Sequence, residues 1–178
     1  MKGNLEGRSF RPLLSKEKIE ERISLLAKQI SQDYEGKELV CVGVLNGAYM
    51  FFADLTRKLD IDIYIDFIRI SSYSNNKSSG TVNIQIDLKN DIKGKDVLLI
   101  EDIIDTGFSF YKSDIVNKIL DRGALSCKIA AFASKPSKMI YPIKIDYLGF
   151  EFPDKYVVGY GFDSNEIGRN LEEIVYLE

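Results

Sequence analysis

Val97-Leu98-Leu99-Ile100-Glu101-Asp102-Ile103-Ile104-Asp105-Thr106-Gly107-Phe108-Ser109 is the stretch that decides the reading of this chain. Its four leading apolar residues have the length and composition of a buried strand. Two acids stand at the strand's end, and Asp105-Thr106-Gly107 makes a short turn that opens a helix. A helix start presents backbone N–H groups that attract an anion such as phosphate. Carboxylates beside it suit a divalent cation or sugar hydroxyls. Phosphate, cation and sugar together point to a phosphoribosyl compound. Taken alone, the same pattern also fits an ordinary βα unit whose aspartate caps the helix.

Working outward, the flanking sequence alternates strands with helices. Ser15 reads as an N-cap, with Glu17 in the first turn. Ile19, Ile23, Leu26 and Ile30 recur at helical spacing to about Tyr34, and Gly36 ends that helix. A fully apolar strand is expected over 39–44, a turn at Asn46-Gly47 and a second helix to about Lys58. A strand over 61–70 precedes the small polar residues of 71–80, which read as a mobile excursion. Val82, Ile84 and Ile86 alternate as a returning strand. After the deciding stretch, one helix is expected to about Leu120, closed by Gly123. Strands follow over 128–133 and 147–150, and residues 153–178 are less regular. Such alternation predicts an α/β fold around a parallel sheet, with ligands beyond the strand C-termini. Asn46-Gly47, residues 101–109 and Ser134-Lys135 all follow strands in this way.

Composition narrows the chemistry. The 178 residues suit one domain, and 45% hydrophobic with 29% charged residues is ordinary for a globular protein. A net charge of −3 gives no general attraction for nucleic acid or an anionic membrane, so neither is an expected partner. The opening residues carry no apolar run and no stretch approaches a span of ~20 apolar residues, so a cytoplasmic location is expected. Cys41 and Cys127 lie in apolar runs and read as buried thiols, in keeping with a reducing compartment. There is no histidine, which removes Ser-His-Asp and Cys-His catalysis and histidine metal sites. Proton transfer then falls to Asp, Glu, Lys or Tyr, and any catalytic metal to oxygen ligands, which favours Mg²⁺.

The string Glu101-Asp102-Ile103-Ile104-Asp105-Thr106-Gly107-Phe108-Ser109 resembles the phosphoribosyl-pyrophosphate signature of type I phosphoribosyltransferases, in the form of the hypoxanthine-guanine branch. Asp-Thr-Gly also occurs in aspartic proteases, but there in an all-β fold rather than between a strand and a helix. The likeness runs from about Ser15 to the C-terminus. It implies one domain over 1–178, with a core of about 37–150 and a small hood from about 1–14 and 151–178.

The resemblance also implies roles. Asp105 is the general base, taking a proton from purine N7 as N9 attacks the sugar. Glu101 and Asp102 serve the ribose hydroxyls and Mg²⁺. Glu101, Asp102, Ile103, Ile104, Asp105, Thr106, Gly107, Phe108 and Ser109 bind the phosphoribosyl group, and the last four wrap the 5′-phosphate, Ser109 standing for the usual Thr. Leu45, Asn46 and Gly47 form the pyrophosphate loop, where a cis peptide can present backbone N–H. Many relatives have Lys-Gly-Ser where this chain has Asn46-Gly47-Ala48. Ser72 and Tyr73, after Arg69, mark the base of a lid. Lys135 donates to the purine 6-oxo group.

The second signature, Pro153-Asp154-Lys155-Tyr156-Val157-Val158-Gly159-Tyr160-Gly161-Phe162-Asp163, brings Lys155, Tyr156, Val157 and Asp163 to the purine. Tyr156 stacks on the base, Asp163 ligates Mg²⁺ and Arg169 contacts pyrophosphate. The implied partners are a purine base, phosphoribosyl pyrophosphate and the nucleotide product, with a homodimer or homotetramer as the assembly. The implied activity is purine salvage, giving IMP or GMP plus pyrophosphate. A xanthine preference, or a non-catalytic nucleotide-sensing regulator, remains as an alternative.

Overall fold

A six-stranded sheet in the order β4-β3-β2-β5-β6-β7 organises the computed structural model of the protein, which describes residues 9–72 and 82–177. In chain order the elements are β1 (Phe10–Leu14), α1 (Lys16–Asp33), β2 (Leu39–Leu45), α2 (Tyr49–Thr56), β3 (Ile63–Ser72), β4 (Val82–Ile86), β5 (Asp96–Ile104), α3 (Phe108–Ser113), α4 (Ile115–Asp121), β6 (Ser126–Ser134), β7 (Tyr147–Glu151), β8 (Val157–Val158) and β9 (Ile174–Leu177). Strands β3, β2, β5, β6 and β7 run parallel, and β4 pairs antiparallel on the β3 edge.

Both faces of the sheet are covered, which is why its central strands are apolar throughout. On β5, Leu98 and Ile100 pack with Ile19, Ile23, Leu26 and Ile30 of α1 and with Phe51, Phe52 and Leu55 of α2. Val97 and Leu99 face the opposite way, towards Phe110, Ile115 and Ile119. The expected first helix is present, with the Ser15 side chain accepting from the Lys18 N–H at 3.5 Å.

The α1 and α2 side chains lie on one face, those of α3 and α4 on the other. The sheet therefore reverses its winding between β2 and β5. An open α/β sheet leaves a crevice at such a reversal, beyond the strand C-termini. The turn after β2 and the turn after β5 both border that crevice.

Two elements depart from the sequence expectation. Strand β5 extends to Ile104, so Glu101 and Asp102 lie inside the strand and not beyond it. Its pairing continues through Glu101↔Ala131, Ile103↔Ala133 and Ile104↔Ser134, and these backbone bonds tolerate any side chain. The single helix expected to Leu120 is two, because Asp114 adopts φ 50 between α3 and α4. Aspartate is among the few residues that take this left-handed conformation readily.

A second, three-stranded antiparallel sheet, β1-β9-β8, is built from the two ends of the described chain. Its strands are short; β1 pairs with β9 across nearly the whole sequence, Phe10 with Leu177, whereas β8 meets β9 locally, Val157 with Tyr176. The tip residues of the excursion read at 71–80, from Tyr73 onward, lie outside the described residues.

Candidate active site

Two cavities meet at the C-terminal end of β5. The first is lined by residues 44–47, Ile70 and residues 101–110. The second is lined by Asp102, Ile103, Asp105, Lys135 and Lys138, by residues 154–157, and by Phe162, Asp163 and Arg169. Asp102, Ile103 and Asp105 belong to both. The three sequence signatures, far apart along the chain, are thus brought to one place.

In the first cavity, close backbone approach sets the geometry. Gly107, at φ 77, starts α3, and a Cβ there would stand 2.1 Å from the Tyr141 carbonyl oxygen. That carbonyl belongs to a segment whose Ile140 and Tyr141 N–H groups donate to the Thr106 carbonyl at 3.1 and 3.0 Å. The Phe108 N–H donates to Thr106 Oγ1 at 3.3 Å. Only glycine fits this turn, because any side chain there would collide with the Tyr141 carbonyl. Ser109 is exposed, with Thr106 and Phe108 partly covered.

Across the crevice, Leu45–Asn46 is a cis peptide bond and Asn46 is exposed. A Cβ on Gly47 would fall 1.7 Å from Asp102 Oδ2. A Cβ on Gly161, at φ 100, would fall 2.3 Å from the Gly47 carbonyl oxygen. The loop after β2 therefore packs its backbone against the Asp102 carboxylate of β5 on one side and the backbone of the turn after β8 on the other. Arg169 reinforces the stack. Its Nη1 donates to the Gly161 carbonyl at 2.9 Å, and its Nη2 lies 2.7 Å from Asp163 Oδ1 and 3.3 Å from Glu166 Oε2. The Tyr49 hydroxyl donates to the Arg169 carbonyl at 3.3 Å.

The acids have distinct surroundings. Asp102 N–H donates to Glu101 Oε1 at 3.0 Å, and Ile103 N–H to Asp102 Oδ1 at 2.8 Å. Burial first, then hydrogen bonding and charge from Asp102, push the Glu101 carboxyl well above the ordinary glutamate range. A cation would relieve two adjacent acids held this way. Among the described residues, no three side chains of the metal-binding types converge into a cage. That donor set fits Mg²⁺, which keeps several waters and takes one or two carboxylates plus substrate phosphates. Asp163 is engaged with Arg169 and borders only the second cavity.

In the second cavity, Asp105 Oδ2 lies 3.8 Å from both Lys135 Nζ and Lys138 Nζ. Its other oxygen, Oδ1, is buried without a hydrogen-bond partner. Lys135 is buried, 7% exposed, which is rare for lysine and requires an opposing charge. Tyr156 is half exposed at 51%, its hydroxyl donating to the Asp163 carbonyl at 2.9 Å. Val157 is buried and Lys155 exposed. The ring of Phe162, part of a cluster with Phe132 and Phe152, floors the cavity.

Of the expected site residues, Ser72 ends β3, and Tyr73 lies outside the described residues. In the second cavity three residues escaped the sequence reading: Lys138, Asp154 and Phe162. Lys138 carried a usable signal. Lys135-Pro136-Ser137-Lys138 has proline at the first position of a short helical turn and lysines three apart.

Known proteins resemble this chain over most of its length. The sequence model described as "Phosphoribosyl transferase domain" matches residues 12–165. The hypoxanthine-guanine phosphoribosyltransferase of Aquifex aeolicus is 41% identical over 176 residues, covering 98% of each chain. The hypoxanthine-guanine-xanthine phosphoribosyltransferase of Tritrichomonas foetus is 40% identical over 169 residues, covering 94% of this chain and 91% of its own. The crystal structure of a hypoxanthine phosphoribosyltransferase from Staphylococcus aureus superposes with a TM-score of 0.91 at 38% identity, covering 100% of this chain and 96% of that one.

Proposed function

The chain belongs to the phosphoribosyltransferase family, and from that premise we propose that it is a purine-salvage enzyme joining hypoxanthine or guanine to phosphoribosyl pyrophosphate. The products are IMP or GMP and pyrophosphate. The observation that carries the reading is the shared wall of the two cavities, with Asp105 between the glycine-bounded turn and the lysine-lined pocket.

On this reading the first cavity takes the sugar phosphate. The turn of Thr106, Gly107, Phe108 and Ser109 receives the 5′-phosphate, and the Leu45-Asn46-Gly47 backbone and Arg169 receive pyrophosphate. Asn46 adds no charge to that loop, and Arg169, which borders the second cavity and pairs with Asp163, is the cation this reading assigns to pyrophosphate. Glu101 and Asp102, with Asp163 on the far side, would hold Mg²⁺. When bound, the ion supplies charge stabilisation to the departing pyrophosphate.

The second cavity takes the base. Tyr156 stacks on the ring, Val157 and Lys155 border its edge, and Lys135 donates to the 6-oxo group. N9 forms a bond to the anomeric carbon as the bond from that carbon to pyrophosphate oxygen breaks. Asp105 accepts the N7 proton, and the acids beside the ribose stabilise its oxocarbenium-like transition state. An adenine amino group at position 6 would oppose the Lys135 donors. A homodimer or homotetramer in the cytoplasm, with no membrane or nucleic-acid partner, completes the proposal. No described helix is long and apolar enough to cross a membrane.

A xanthine preference is the second reading, favoured by the name of the Tritrichomonas relative at nearly equal identity. The test is an assay with phosphoribosyl pyrophosphate, Mg²⁺ and each of hypoxanthine, guanine, xanthine and adenine. Turnover of the first two carries the proposal. Dominant xanthine turnover moves the substrate, and binding of the sugar phosphate without turnover of any base indicates a sensor.

A further inference from the structure

The Lys138 side chain lies between two segments that line the base cavity. Its Nζ is 3.8 Å from Asp105 Oδ2, on the turn after β5, and 3.2 Å from Asp154 Oδ1, in the connection between β7 and β8. It is only partly exposed. We propose that Lys138 is a positioning residue for Asp105: tethered by Asp154, its ammonium fixes the carboxylate at the purine and completes the cationic wall of the base cavity. The inference deepens the proposed function and rests on the reading of Asp105 as proton acceptor.

Local geometry makes the placement specific. Pro136–Lys138 is a 3₁₀ turn, with the Lys138 N–H donating to the Lys135 carbonyl at 2.9 Å. In a 3₁₀ turn, side chains three residues apart eclipse one another. Lys135 and Lys138 therefore project to the same side, and both ammonium groups reach the same oxygen of Asp105 at 3.8 Å. The turn itself is fixed, since the Lys135 N–H donates to the Ile104 carbonyl at 3.1 Å.

Asp105 needs such a partner. Oδ1 has no hydrogen bond, and the Oδ2 contacts are ion pairs beyond hydrogen-bond length. A carboxylate that must receive a proton at a defined atom of the base gains from being held in one orientation. Lys135 is committed to the base, so Lys138 is the cation free to stay on the carboxylate. Asp154 keeps it from swinging into solvent. Its hydrogen bond, followed by the charge of Asp105, pushes the Lys138 ammonium above the ordinary lysine range, so the charge persists at neutral pH.

The test is steady-state kinetics with hypoxanthine varied, at saturating phosphoribosyl pyrophosphate and Mg²⁺, for Lys138→Met, Lys138→Arg, Asp154→Asn and the Lys138→Met/Asp154→Asn double variant. Lys138→Met is expected to lower kcat roughly 10- to 100-fold. The KM for phosphoribosyl pyrophosphate, read in a second series with that substrate varied, and the melting temperature stay unchanged. Lys138→Arg keeps the charge and retains kcat to within about threefold. Asp154→Asn has a smaller effect, and the double variant is no worse than Lys138→Met, because Asp154 acts only through Lys138. Three results overturn the inference: a Lys138→Met variant as active as an active native protein, a loss that follows melting temperature, or independent, multiplicative effects in the double variant. A native protein that turns over no purine overturns the functional reading as well.

Discussion

The two cavities that meet at Asp105 are built in opposite ways. The one beside Gly107 is formed chiefly from a single run of chain, residues 101–110, with the short loop after β2 opposite. Its shape is set by backbone, with glycines where the Tyr141 carbonyl and the Asp102 carboxylate crowd in. The base cavity instead gathers side chains from β5, from the 3₁₀ turn after β6 and from residues 154–169. Its character comes from charge placement, two lysines and a carboxylate held across segments. A backbone-built cradle tolerates little at a few positions and is indifferent elsewhere. A side-chain-built pocket is adjustable piece by piece, which suits a site that must discriminate among bases.

Substitutions can break that contrast. The largest effect is expected at the shared wall. Asp105→Asn preserves shape but cannot accept the proton, and kcat should fall by about 10²- to 10⁴-fold. An unchanged rate in a stopped assay would remove Asp105 from the reaction. Gly107→Ala is the corresponding blow to the backbone cradle. The positive φ costs on the order of 1–2 kcal/mol, and the new Cβ must displace the Tyr141 carbonyl. The KM for phosphoribosyl pyrophosphate should rise more than about tenfold, with hypoxanthine KM little altered. If both KM values rise together, the cavities are not separable.

Smaller effects sharpen the picture on the side-chain side. Lys135→Met removes a charged donor worth about 1.5–3 kcal/mol to the 6-oxo group, so hypoxanthine KM should rise roughly 10- to 100-fold. Preference over adenine should shrink in parallel, as a competition assay would show. Tyr156→Ala removes stacking worth about 0.5–1.5 kcal/mol, so the base KM should rise about two- to tenfold. A larger effect there would mean that its hydroxyl bond to Asp163 shapes the turn as well.

The same contrast explains what could be read before the structure. The cradle is one contiguous string, so its acids, turn and helix start stood together in the sequence. The hydrophobic run of β2 and the capped, periodic α1 were equally plain, because each signal is local. Strand β5 runs past its acids through pairing with β6, and composition does not encode pairing. The break at Asp114 is one residue's dihedral choice inside an unbroken apolar period. Strands β1, β8 and β9 are short, and β1 finds its partner only across the full chain. Lys138 and Asp154 stand in different segments of the chain, and only the fold sets them 3.2 Å apart.

Phe132 gives one more consequence. It is fully buried on β6, and its ring lies within 4.9–6.2 Å of those of Phe51, Phe150, Phe152, Tyr160 and Phe162. Those rings come from α2, from β7 and the residue after it, and from the turn following β8. The small second sheet is thereby riveted to the large one through a common aromatic knot, reinforced by the Tyr160 hydroxyl donating to Asp54 at 2.6 Å. Neither sheet can melt without dissolving the knot they share. A scanning calorimeter should record one cooperative heat-absorption peak for the whole chain, and Phe132→Ala should lower that peak without splitting it.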